Sequence, residues 1–132
     1  MSGPEADWKS FVAMCREHGL LAKQFYVVNT KPTKGMGPVF ENLEQHLAYQ
    51  GELERTGVMF AAGPLQDENG PGWAGEGMVI IRAESLADAR AVAEADPMHK
   101  SGARSFTVRP WLMNEGSLTV RIKGSDQKVE IT

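Results

Sequence analysis

Residues 95–99 read Ala-Asp-Pro-Met-His, and the reading of the fold turns on them. Pro97 has no amide hydrogen and drives the residue before it out of the helical region, so the preceding helix must end by Asp96. The negative end of a helix is a poor place for another carboxylate. Two readings of Asp96 stay open on local rules. It caps a new short helix with Pro97 at its first position and Gly102 after its end, or it is a chemical group set down where a rule is broken.

Working upstream, Ser85 opens the helix that stops here. Asp88 follows in a capping-box arrangement, and Leu86, Ala89, Val92 and Ala93 form the apolar face. Met78 to Arg82, extending back as far as Glu76, reads as a strand, as does Val58 to Ala62 closed by Gly63-Pro64. The 63–75 segment between them is too long for a tight hairpin. Loops of that length are often lids or binding loops, and Trp73 is its large apolar residue, with packing and ligand contact weighed equally. Val39 to Thr56 reads as one helix, and Gln24 to Thr30 as an aromatic and β-branched strand. The Gly- and Pro-rich 31–38 segment between them reads as a surface loop, without the spacing of a phosphate cradle. Downstream, Arg104 to Trp111 alternates as a strand, with Pro110 near its end.

The core order is therefore strand, helix, strand, strand, helix, strand. That is the split βαβ order of a ferredoxin-like α+β sandwich, an antiparallel sheet with both helices on one face. The strands carry large residues on both alternating sets: Phe25 and Val27 against Tyr26 and Val28, Val79 and Ile81 against Met78 and Ile80. A half-solvated sheet reads apolar on one set only. A second copy of the sheet is the simplest cover, which predicts a homodimer. The competing cover is an N-terminal helix over residues 4–18, whose apolar face is Trp8, Phe11, Val12 and Cys15. Residues 117–131 read as a C-terminal hairpin around Gly124-Ser125-Asp126. The whole chain reads as one domain with its core at 24–113.

Composition narrows the function. The 132 residues are 42% hydrophobic and 23% charged, an ordinary globular composition. A net charge of −3 with no basic cluster argues against nucleic acid. No apolar run is long enough to cross a bilayer, and the N-terminus lacks the features of a secretory signal. The single cysteine, Cys15, lies on the apolar face of its helix and reads as a buried thiol; with no disulfide framework a reducing cytoplasm is expected. His18, His46 and His99 lack zinc-motif spacing, so no metal is expected.

His46 is the informative histidine. At about 100° per residue it falls in the middle of the face made by Val39, Leu43, Gln50 and Leu53. An imidazole there must find a hydrogen-bond partner, in a satisfied core or in a site, and Asp96 is available.

At this point the residues resemble a family. His46 in the first core helix, Gly63-Pro64, Asp96-Pro97 and Val108-Arg109-Pro110-Trp111 are similar to the YciI-like, or YCII-related, proteins over residues 24 to 113. The resemblance implies a dimeric α+β barrel, related in shape to muconolactone isomerases and cofactorless monooxygenases. It implies a His–Asp pair as the catalytic centre, which maps onto His46 and Asp96. One branch of the family removes chloride from chlorinated hydroxyhydroquinones. This chain departs from the short members by its N-terminal helix, its C-terminal hairpin, and His99 close to Asp96.

The expectation is a cofactor-independent enzyme of lyase or isomerase type acting on a small aromatic or lactone-like molecule. His46 and Asp96 are its acid–base pair, with Gly63, Pro64, Trp73, His99 and Trp111 as candidates for the pocket. An imidazole takes and returns protons near roughly pH 6.5, and no serine or cysteine is placed as a nucleophile. The alternatives are a non-catalytic ligand-binding or interaction module in which the pair is structural, and a cofactorless oxygenase. An open pocket at the pair favours an enzyme, and a sealed pair favours the module.

Overall fold

The computed structural model describes residues 7–132; positions 4–6 of the expected first helix lie outside the described residues. The described residues form two compact units: Gln24–Trp111, and residues 7–23 together with Leu112–Thr132.

The larger unit contains the expected order. Strands β1 (Lys23–Pro32), β2 (Met59–Pro64), β3 (Gly77–Ile81) and β4 (Arg104–Met113) form one sheet in the order β2-β3-β1-β4. This is the arrangement of a ferredoxin-like fold. β1 pairs antiparallel with β3, Tyr26 opposite Ile81 and Val28 opposite Val79. Because alternate side chains share a face, this register puts Tyr26, Val28, Val79 and Ile81 on one side. They meet Ala89, Ala93, Val108, Val92 and Phe106 there, forming the main core. Ile81 is completely buried, and truncating such a residue to alanine typically costs about 2–5 kcal/mol.

Helix α4 (Leu86–Glu94) starts as the sequence predicts, with the Ser85 hydroxyl accepting from the Asp88 amide. It stops before Asp96, whose extended backbone (φ −65°, ψ 128°) is what Pro97 demands. A four-residue helix, α5 (Pro97–Lys100), follows at once.

One expected element is corrected. The single helix over 39–56 is two helices, α2 (Gly37–Glu41) and α3 (Leu43–Arg55), broken at Asn42. The Asn42 amide donates to the Pro38 carbonyl at 2.8 Å, the local side-chain bond by which Asn competes with continued helix. The break lets α2 bring Met36 and Val39 onto Met98 and Ala103, a second small apolar cluster.

In the smaller unit, helix α1 (Trp8–Glu17) is capped by Asp7 and buries Cys15, while Trp8 and Phe11 stack on each other and remain exposed. Asn114 ties this unit together, accepting from the Ala22 amide and donating to the Cys15 sulfur. The C-terminal hairpin is β5 (Val120–Ile122) paired with β6 (Val129–Ile131). Among the described residues, no helix is long and apolar enough to cross a membrane.

Candidate active site

Asp96 does both things its sequence position allows. Its Oδ1 accepts the Met98 amide at 2.9 Å and so caps α5. Both carboxylate oxygens also lie 2.9 Å from Nδ1 of His46, which reaches down from α3. Gln50, one turn beyond His46 on the same helix, donates to Oδ2 at 3.4 Å. The carboxylate is almost fully buried, at 4% exposure. That burial is the largest influence on Asp96 and opposes ionisation. The hydrogen bonds from His46 and the Met98 amide, with the fields of His46 and His99, outweigh it and hold the carboxyl below its ordinary range.

With an ionised carboxylate at Nδ1, the imidazole of His46 carries its proton on Nδ1 and donates it to Asp96. The other ring nitrogen, Nε2, is then a lone-pair acceptor with no hydrogen-bond partner among the described residues.

His46 lines a cavity of about 460 Å³ between α2–α3 and the β2–β3 edge of the sheet. Met36, Val39, Phe40, Leu43 and Leu47 form the helix side, and Ala62, Gly63, Pro64, Met78 and Val79 the sheet side. Phe40, Leu47 and Trp73 remain well exposed in this lining, as expected of an apolar cleft without an occupant. The long loop between β2 and β3 is tied to itself. Trp73 donates its indole N–H to the Glu76 carbonyl at 2.7 Å, and Asp67 accepts the Ala74 amide at 2.8 Å. Gly75 anchors the loop. It sits at φ +109°, where a Cβ would lie 2.5 Å from Pro32 and 2.6 Å from Met36, so only glycine fits.

Of the residues named from sequence, His46, Gly63, Pro64 and Trp73 come together in this lining. His99 and Trp111 do not line it. Ring nitrogen Nδ1 of His99 donates to the Ala93 carbonyl at 2.6 Å, and Nε2 accepts the Thr30 hydroxyl at 2.9 Å. Its ring packs on Phe106 at 4.3 Å between centroids. Burial is the main influence on His99 and lowers its pKa, so the ring is neutral near pH 7. Trp111 falls on the opposite alternating set of β4 from Phe106 and Val108, and packs on Phe25 at 5.9 Å. A larger hollow of about 510 Å³ under the loop, lined by Lys31, Asp67 and Glu68, contains none of the named residues.

Sequence reading missed Thr30, Gln50 and Arg104 as site residues. Alternation held the signal for two of them: Thr30 continues the inward set of Tyr26 and Val28, and Arg104 that of Phe106 and Val108. Gln50 was visible as the i+4 neighbour of His46.

The YCII-related domain profile matches residues 25–112. No curated protein matches the chain. Among solved structures the chain is similar to 5-chloro-2-hydroxyhydroquinone dehydrochlorinase from Burkholderia phenoliruptrix AC1100, in complex with 2,5-dihydroxybenzoquinone. The TM-score is 0.55 at 24% identity, covering 66% of this chain and 92% of that one. At that identity the likeness shows the fold.

Proposed function

The chain belongs to the family of YCII-related domains, and from that premise we propose that it is a small enzyme whose His46, oriented by Asp96, moves protons on a small planar molecule. The observation that carries this reading is the exposure of His46 to an apolar cavity of about 460 Å³, while its Nδ1 is held by a buried carboxylate. A histidine kept only for stability has no need of an open cleft at its second nitrogen.

The chemistry follows from the geometry. Nε2 takes a proton from a carbon or hydroxyl of the bound molecule. The electrons left behind form a new double bond. In an elimination, a leaving group departs with its electron pair from the adjacent or conjugated position. In an isomerisation, the imidazolium returns the proton to a different atom. Asp96 stabilises the imidazolium without taking the proton itself, because its own affinity for protons is lowered. That a similarly folded protein is a dehydrochlorinase bound to a dihydroxybenzoquinone supports a quinol or phenol as the first substrates to try. A screen of small phenols, quinols and lactones for turnover is the starting experiment. With a turned-over compound in hand, His46→Ala is expected to lower the rate by about 10²–10⁴-fold while the fold is kept. A folded His46→Ala protein with full turnover would sink the reading and leave a binding module.

We also infer that the chain works as a homodimer through the outer face of its sheet. Val27 and Ile80 are only half-buried there, and Phe60 and Trp111 are exposed beside Phe25. An obligate interface of this type commonly buries more than about 2,000 Å² in total. Sedimentation at low micromolar concentration is expected to give twice the 14.4 kDa chain mass. A compact monomer would refute it.

A further inference from the structure

The electrostatics of the cavity lead further, on the reading that this cavity receives the substrate. Its lining is mostly apolar, and Arg104 is its only fixed charge, with no Asp or Glu among the lining residues. Arg104 opens β4 on the inward set and is half-buried. A guanidinium carries five N–H donors. Among the described residues this one donates to the Gly75 carbonyl and makes no ion pair. A partly buried cation without a carboxylate beside it is costly, and structural arginines in such places are normally paired. Asp96 does not supply the pair: it forms no ion pair with Arg104, and its hydrogen bonds go to His46, the Met98 amide and Gln50. The field of Asp96 favours the charge on Arg104, against the larger opposing effect of burial.

We propose that Arg104 is a specificity-determining residue that selects molecules carrying an anionic oxygen, a carboxylate or an ionised phenol, on a small planar ring. The ring lies against the apolar walls of Phe40, Leu47 and Trp73, and the fork of Arg104 holds the anionic oxygen. An arginine suits that task because its planar donors match a carboxylate or a pair of adjacent oxygens. Positive charge at that oxygen also favours proton removal from the same ring by His46, because it stabilises the charge that develops.

The test is calorimetric titration of the full chain at pH 7.5 with three matched probes: neutral hydroquinone, 2,5-dihydroxybenzoate and ionised 2,5-dihydroxybenzoquinone. The two anions are expected to bind more tightly than hydroquinone by on the order of 10- to 100-fold, the range for a charge-assisted bond. Comparing the two anions separates carboxylate from enolate-type oxygen. Arg104→Met is expected to abolish the preference, the two anions then binding no more tightly than hydroquinone, and His46→Ala to retain it. Should Arg104→Met no longer bind hydroquinone, Arg104→Lys decides: a reduced anion preference supports the assignment, and an undiminished one overturns it. Equal affinities for all three probes in the unaltered chain overturn the role of Arg104 and leave the cavity as the substrate site. Absence of binding by any of the three overturns both.

Discussion

Two histidines flank one carboxylate in this protein, and they differ in what their second nitrogen meets. His46 gives Nδ1 to Asp96, lines an apolar cleft, and has no partner for Nε2 among the described residues. His99 feels the same carboxylate, yet its two nitrogens are taken by the Ala93 carbonyl and the Thr30 hydroxyl and its ring is stacked on Phe106. A carboxylate nearby therefore does not by itself distinguish the two rings. The proposed function rests instead on the nitrogen of His46 that has no partner among the described residues.

The largest expected effect separates the pair on activity. His46→Ala removes the proposed base, and its expected rate loss of about 10²–10⁴-fold should dwarf that of His99→Gln, which keeps hydrogen-bonding groups beneath the sheet. Comparable losses in both variants would erase the distinction drawn between the two rings.

Asp96 serves both regions, and its variants divide its two jobs. Asp96→Ala removes the cap of α5 as well as the histidine partner, and should lose at least the ~1 kcal/mol typical of an N-cap in denaturant unfolding. Asp96→Asn keeps an acceptor for the Met98 amide and should lose less stability, while turnover falls in both because the tautomer of His46 is no longer fixed. Equal stability losses would mean the cap contributes little.

Acid provides a third contrast. The pKa of His99 is lowered by folding, so the unfolded chain binds the extra proton first. Stability from this group is fully present above the unfolded value of about 6.5 and is lost as pH falls from there through the folded value. Asp96, also lowered, acts in the same direction but only below about pH 3.9. Unfolding free energy should therefore already decline between pH 7 and 5, and His99→Gln should flatten that decline. An unchanged slope would assign the effect to another group.

The parts of this arrangement that could be read from the chain were those governed by local rules. Pro97 stops α4 because of its ring, and the alternation of Tyr26, Val28, Val79 and Ile81 gives the strands their inner face. The pairing of His46 with Asp96 was inferable because a histidine on an apolar helix face needs a partner. The break at Asn42 was not, since the 39–56 pattern reads through it; there the Asn42 side chain bonds back to the Pro38 carbonyl. Trp111, named as a pocket candidate and quoted within the motif Val108-Arg109-Pro110-Trp111, does not line the cavity. Its place in the alternation of β4 already put it on the other face, with Arg104 on the inner one.

The most direct measurement is the ring-nitrogen NMR spectrum of the histidines during titration with 2,5-dihydroxybenzoquinone. The expected result is a His46 ring protonated at Nδ1, with its Nε2 resonance moving as the ligand enters and the His99 resonances holding still. A His46 protonated instead at Nε2, or a titration in which His99 moves and His46 does not, would contradict the assignment of His46 as the oriented base of this cavity.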